Sequence, residues 1–284
     1  MKGVLYRLVK KSIIQPAGPT FSVHPFYFCA CNENNRASMN IRISIIIPCR
    51  NEAKYIEATL SQFEKLLEHL NFEIIVSDAN STDGTVELVQ NFARRFPGRV
   101  LLAQKTGKQN IAIGRNFGAS KATGDILFHT DADVRIPNPE YFFSNILRIF
   151  DNPNVVAATT PIWVYPEESR LKDKLYHIAM NSTIRMSFGI GLYLAKGECQ
   201  WVRKEVFDRI GGYSEHLVAG EDCNLFYRLC KQGRIVYSNQ LSVFHSPRRF
   251  RQYGYTRLSF IYLREAIWMA MGRRSYVKEW EAVR

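Results

Sequence analysis

The sequence predicts an α/β protein built on a mostly parallel central sheet flanked by helices. Three observations carry this. Between Ile43 and His129, apolar runs of strand length alternate with amphipathic segments of helical period. The apolar runs lack polar alternation, so they read as strands buried on both faces. Polar, acid-bearing clusters follow directly on three of them, where ligands bind in open parallel sheets.

Residues 43–47, ISIII, form the first strand, stopped by Pro48. Residues 52–70 follow as a helix, with Ile56, Leu60, Phe63, Leu66, Leu67 and Leu70 on one face. Residues 72–76, FEIIV, make the second strand, closed by Ser77 and Asp78. The turn STDG then caps a helix over 85–96. Residues 100–104 are a third strand, 110–122 a third helix, and 126–129 a fourth strand that runs into Asp131 and Asp133. This rhythm gives right-handed βαβ units.

The second half is less regular. A strand is expected over 155–164 and a helix from about 168 to 185, followed by the loop SFGIGL, whose Gly189 and Gly191 suit a mobile loop. CQWV at 199–202 reads as strand and 204–210 as helix. The acidic loop AGED precedes another helix, and a strand over 234–244 ends at His245. From Arg251 the chain reads as a basic amphipathic helix.

The 284 residues are 46% apolar and 23% charged, enough to bury a sizeable core. No apolar run approaches the ~20 residues that cross a bilayer. The net charge of +12 sits at the ends: +4 over 1–38 and +6 over 246–284, against +2 for the body. Basic ends suit phosphates or anionic lipid, or simply a solvated tail. Three divisions follow: a poorly ordered extension over 1–38, read as lying upstream of a start at Met39, a catalytic domain over 39–245, and a basic helical segment over 246–284. Cys29, Cys31, Cys49, Cys199, Cys223 and Cys230 form no CxxC pair and read as reduced thiols of a cytoplasmic protein. Trp163, Trp201, Trp268 and Trp280 read as core or interface residues.

The clusters carry the chemistry. Two acids in D-x-D at a strand end place oxygens within reach of one hard cation, although an isolated pair also serves as a turn or cap. Glu221 and Asp222 could likewise be first-turn acids favoured by a helix dipole. Their companions change the reading. SIIIPCRNE, VSDANSTDGT, GRNFGASKATGD, HTDAD and GGY…AGED occur in that order. Together, from about Ile43 to His245, they resemble the family 2 glycosyltransferases of GT-A fold.

The resemblance implies a metal-dependent, inverting transfer of a sugar from a nucleotide-diphosphate sugar to an acceptor hydroxyl, in cell-surface polysaccharide, glycolipid or related glycoconjugate synthesis. It implies that Pro48, Arg50 and Glu52 border the base and ribose, that Asp78 hydrogen-bonds the base, and that Asn80 sits beside it. Where many members have two successive acids this chain has Asp78-Ala79. Arg115 would face the same pocket, with Lys108 offering charge to a phosphate. Asp131 would meet ribose or metal, Asp133 would ligate Mn²⁺ or Mg²⁺, and His245 would be a further ligand. Asp222 would be the general base and Glu221 would position the loop or the acceptor. Arg248 and Arg249 would hold the diphosphate or form a basic surface.

The processive members' Q-x-x-R-W motif and membrane helices are not found, so transfer of one sugar or a few is expected. The acceptor is unassigned, and a lipid-linked one would suit a peripheral position on the cytoplasmic leaflet, where the basic, aromatic C-terminal segment could lie. A sugar-phosphate nucleotidyltransferase would need a glycine-rich first loop, and PCRNE stands there instead. A dinucleotide oxidoreductase would need G-x-G-x-x-G after the first strand. A basic nucleic-acid binder would show a zinc, RRM or helix-turn-helix signature.

Overall fold

The computed structural model describes residues 41–107 and 109–270. The extension over 1–38, Cys29, Cys31, Lys108 and Trp280 lie outside the described residues. Within them, a seven-stranded sheet has the order β3-β2-β1-β4-β8-β6-β9. Its strands are β1 (Ile43–Cys49), β2 (Phe72–Asp78), β3 (Val100–Gln104), β4 (Ile126–His129), β6 (Val155–Thr159), β8 (Gln200–Arg203) and β9 (Arg234–Tyr237). β8 alone runs antiparallel to its neighbours β4 and β6. A three-stranded sheet, β5 (Val134–Arg135), β10 (Val243–His245) and β7 (Ile162–Val164), stands beside it.

β1 lies between β2 and β4 and every residue in it is buried. Pro48 does not stop this strand. The ladder runs on through Pro48 opposite Ser77 to Cys49 opposite Asp78, because the end of a strand can spare the donor that proline lacks. Helix α4 (Ile111–Ala119) lies against β1, and Gly118 permits the approach: a Cβ there would stand 2.6 Å from Cγ2 of Ile46.

Four expectations are corrected by packing. The helix expected over 52–70 is two, α1 (Ala53–Ser61) and α2 (Glu64–His69). At the break, Nε2 of Gln62 donates to the Val134 carbonyl at 2.9 Å and its Oε1 accepts from the Ile136 amide at 2.8 Å. Phe63 meanwhile turns into the core against Phe143. The strand expected over 155–164 is β6 and β7, separated at Thr160-Pro161, and the one over 234–244 is β9 and β10. In both, the chain leaves the large sheet to enter the small one. The helix expected from 168 to 185 is α6 (Leu171–Gly189), so it takes in Ser187 to Gly189 of the anticipated loop. Helix α5 (Pro139–Phe150) had no counterpart in the sequence reading, though its signal was there: Asn138 caps the Tyr141 amide at 3.0 Å, and Pro139 is the first helical residue.

The remaining helices are α3 (Thr85–Arg95), α7 (Lys204–Arg209), α8 (Glu221–Leu229), α9 (Arg248–Tyr253) and α10 (Tyr255–Ala270). The C-terminal helical region thus starts three residues before Arg251 and breaks at Gly254, φ +75°. Trp201 is fully buried and stacks on Phe128 at 4.1 Å, a core residue as expected. The described cysteines Cys49, Cys199, Cys223 and Cys230 are free thiols. Among the described residues, no helix is long and apolar enough to cross a membrane.

Candidate active site

A cleft of about 1020 Å³ opens where β1, β2 and β4 end. Two loops make its first wall, and their side chains and backbones lock together. The Asn51 amide donates to Oγ of Ser81 at 2.8 Å, and Oδ1 of Asn51 accepts from the Thr82 amide at 2.7 Å. Both turns use asparagines in the left-handed region, Asn51 at φ +57° and Asn80 at φ +58°, a conformation that asparagine tolerates better than most residues. Asp78 is buried behind this wall, its carboxylate accepting from the Ser81 amide and hydroxyl. Pro48, Arg50, Glu52 and Asn80 line the cleft itself.

Arg115 organises the centre. It is 1% exposed, and one guanidinium holds two acids from distant parts of the chain. Its Nη2 meets Oδ1 of Asp131 at 2.9 Å, and its Nη1 meets Oε1 of Glu221 at 2.8 Å. Burial opposes its charge, but Asp131, Tyr213 and Glu221 outweigh this and hold it firmly cationic. Gly197 makes room for it: a Cβ there would stand 2.1 Å from Nη2 of Arg115. The acidic loop is also tied directly to α4, since Nδ2 of Asn116 donates to the Tyr213 carbonyl at 2.9 Å and Nδ2 of Asn110 to that of Glu215 at 2.8 Å.

Glu221 and Asp222 open α8 behind Gly220, φ +73°. Burial, then the neighbouring Asp222 charge, pushes the Glu221 carboxyl up to about 7 against the pull of Arg115. Burial raises Asp222 too, opposed chiefly by Lys196. Both acids line the cleft but differ in access: Glu221 is buried, while Asp222 is half-buried.

A second arginine bridges a second acid pair. Arg248 meets Oε1 of Glu52 at 2.7 Å through Nη2 and Oδ2 of Asp133 at 3.1 Å through Nε. Burial raises the Asp133 carboxyl even beside this guanidinium, with Asp131 and Glu198 adding to the effect. His245 is held on both sides. Its Nε2 lies 3.0 Å from Nε2 of His177, and its Nδ1 lies 3.4 Å from Oε1 of Glu198. The Nδ1 of His177 faces the Asp173 carbonyl at 2.8 Å, so it donates there. Burial and His245 push His177 down to about 4, which leaves it neutral, and its Nε2 accepts from His245.

The donor chemistry suits a hard cation only in part. Asp131 and Asp133 each engage one carboxylate oxygen with an arginine, and oxygen ligands fit Mg²⁺ or Mn²⁺. His245 would have to leave Glu198 or His177 to join them. Among the described residues, no group of three or more His, Cys, Asp and Glu stands ready to hold a metal. The two aspartates therefore fit a cation whose remaining ligands come from a bound substrate.

The cleft thus gathers Pro48, Arg50, Glu52, Asn80, Arg115, Asp131, Asp133, Glu221, Asp222 and His245, with Asp78 just behind it. The sequence reading missed Lys196, Gly197 and Glu198, which also line it. Lys196 stays strongly cationic despite burial because Glu198 faces it, and that lysine holds Glu198 well below the usual carboxylate range. The signal was the triplet KGE just before a strand, with charges of both signs around a glycine.

This architecture, a mostly parallel sheet with an acidic cleft at its carboxyl edge, is that of the GT-A fold. The mannosyltransferase PcManGT from Pyrobaculum calidifontis, solved with GDP-Man and Mn²⁺, has a TM-score of 0.56 at 21% identity, covering 72% of this chain and 57% of that one. Glucosyl-3-phosphoglycerate synthase from Mycobacterium tuberculosis, solved with Mn²⁺, UDP and phosphoglyceric acid, has a TM-score of 0.57 at 18% identity, covering 84% and 80%. The sequence matches the model of glycosyl transferase family 2 over residues 44–211. It is 30% identical over 207 residues to the succinoglycan biosynthesis protein ExoA of Rhizobium meliloti, covering 72% of this chain and 63% of that protein. The chain belongs to glycosyl transferase family 2. It spans less than two thirds of the length of ExoA.

Proposed function

We propose that this chain transfers a sugar from a nucleotide-diphosphate sugar to an acceptor hydroxyl with inversion, in the synthesis of cell-surface polysaccharide, glycolipid or a related glycoconjugate. The observation that carries the reading is the Arg115 bridge, which joins Asp131 at the end of β4 to Glu221 at the start of α8. One rigid, buried cation thereby sets the spacing between a donor-side acid and an acceptor-side acid. The solved neighbours with bound GDP-Man or UDP support a nucleotide donor in the corresponding cleft.

Asp222 is the general base. It is the more accessible of the paired acids, and its raised pKa suits a group that must take a proton from a hydroxyl. The acceptor oxygen attacks the anomeric carbon, its proton passes to the Asp222 carboxylate, and the bond from that carbon to the diphosphate oxygen breaks with its electron pair leaving on the diphosphate. Single displacement inverts the centre. Glu221 holds α8 against Arg115, and Asp78 and Asn51 hold the loops that border the nucleotide. Arg50, Glu52 and Asn80 border base and ribose. Asp131 and Asp133 would hold a divalent cation, which supplies charge neutralisation for the departing diphosphate. Arg248 adds a fixed positive charge on the same side. The acceptor is lipid-linked and is met at the cytoplasmic face of a membrane.

The test is the thermal stability of the purified chain with UDP, GDP and dTDP, each with and without Mn²⁺. At ~100 times its dissociation constant, the cognate nucleotide adds about 2.7 kcal/mol, a rise of several degrees at this size. Asp133→Ala abolishes the metal-dependent part of the rise. No rise with any nucleotide, with or without metal, would sink the donor assignment.

A further inference from the structure

Helix α6 faces the wrong way for a helix that only packs on its own domain. Its buried side is largely polar: Asp173, His177, Asn181 and Ser187, with Ile184. Each of the polar groups is answered. Asp173 takes the Arg251 guanidinium at 2.5 and 2.6 Å, His177 meets His245, and Asn181 exchanges two hydrogen bonds with the Ile162 backbone at 2.9 and 3.1 Å. Its outward side carries Leu171 (72% exposed), Leu175, Ile178 and Met186 (71%), and Ile190 (73%) continues the line past the helix end.

At ~100° per residue the first four fall within about 80° of arc, opposite the buried residues. Lys172 lies on one flank of this stripe, and Lys174 and Arg185 on the other, all three exposed. The single acid of the helix, Asp173, is fully buried beneath Arg251. An exposed apolar stripe between rows of cations is the pattern of a helix lying in the headgroup region of a bilayer.

We propose that the outward face of α6 docks the protein on an anionic lipid bilayer. Charge decides between a bilayer and a second copy of this chain. A symmetric pairing through α6 would bring like cations together with no exposed acid on the helix to answer them. Lipid supplies acyl chains for the stripe and phosphates for Lys172, Lys174 and Arg185. The helix, ~28 Å long, would lie along the surface.

Helix α6 is also tied to the cleft wall, through the chain that follows it and through its buried face. α6 ends at Gly189, and Lys196, Gly197 and Glu198 line the cleft seven to nine residues later. On the other side, Arg251 binds α6, while Arg248 and Phe250 of the same short helix α9 line the cleft. Docking would therefore hold the acceptor wall near the membrane plane. This deepens the lipid-linked acceptor reading above, but lipid binding can be measured without any transfer.

The experiment is flotation of the full chain with vesicles of phosphatidylcholine alone and with roughly one-third phosphatidylglycerol. Binding is expected to the anionic vesicles, weakened roughly tenfold or more by Leu175→Ser/Ile178→Ser/Met186→Ser, and weakened, with loss of its salt dependence, by Lys172→Glu/Lys174→Glu/Arg185→Glu. The nucleotide-induced thermal shift of these variants should match the parent, which separates a failed surface from a failed donor site. As a check independent of those variants, an environment-sensitive fluorophore at Ser182→Cys should shift to the blue on anionic vesicles. No flotation, flotation indifferent to both sets of substitutions, no shift of the fluorophore, or a dimer that the serine variants break would overturn the proposal.

Discussion

The two walls of the cleft are built by different physics. One wall, proposed to hold the donor, comes from the ends of β1, β2 and β4 and is assembled from neighbouring parallel strands whose loops exchange backbone-to-side-chain bonds, as between Asn51, Ser81 and Thr82. The opposite wall, proposed to face the acceptor, is assembled from α8 and the KGE turn, and ion pairs tie the cleft together: Arg115 to Asp131 and Glu221, and Arg248 of α9 to Glu52 and Asp133. Hydrogen bonds across 30 and 31 residues make a wall that the alignment of neighbouring parallel strands sets. Buried ion pairs make one that depends on charges far apart in the chain, and it fails hard when one partner is lost.

The largest expected effect is catalytic. Asp222→Asn keeps the shape of this wall but removes the carboxylate proposed as base, so the rate of transfer should fall by roughly 10²–10⁴ while nucleotide affinity stays near that of the parent. Steady-state transfer assays with nucleotide titration check this, and an unaltered rate would move the base to another group. Next is Arg115→Met. It leaves Asp131 and Glu221 without their shared cation, and urea unfolding should show a loss of about 3–5 kcal/mol.

The third prediction concerns pH. Glu221 titrates near 4.5 when unfolded and about 7 when folded. Between those values the folded state binds more protons, so its contribution to stability is full below about 4.5 and fades as pH rises through about 7. Glu221→Gln should flatten that fall in the urea midpoint between acid and neutral pH. An equally steep fall in the variant would assign the slope to another group, Asp222 first. The smallest effect belongs to the donor wall. Asn51→Ala deletes one acceptor and forces alanine to φ +57°, a cost of about 1–3 kcal/mol in unfolding measurements, with weakened nucleotide binding and little change in the pH slope.

The legibility of the molecule follows the same division. β3 and β4 occupy the residues expected, and β1 and β2 fall within two residues of them, because a strand buried on both faces must be an unbroken apolar run. The acids at the strand ends were legible as well, being polar clusters next to those runs. Helix α5 could have been read from Asn138-Pro139 and the spacing of Phe142, Phe143, Ile146 and Phe150. The splitting of 155–164 and 234–244 between two sheets could not: the polar breaks at 159–161 and 238–240 mark where each strand ends, but which sheet the remainder joins depends on strands elsewhere. Nor could the orientation of α6, whose polar residues turn inward only because Arg251, His245 and the Ile162 backbone wait for them.

By itself, the sequence determined the parallel sheet, the positions of its first four strands, the acids at the sheet edge and the family, because these rest on local hydrophobic period and on motifs a few residues long. Only the tertiary structure decided that Arg115 joins Asp131 to Glu221, that Arg248 joins Glu52 to Asp133, and that His245 faces Glu198 and His177. A buried charge takes as its partner whatever the fold brings within about 3–4 Å, and that distance carries no trace in sequence separation.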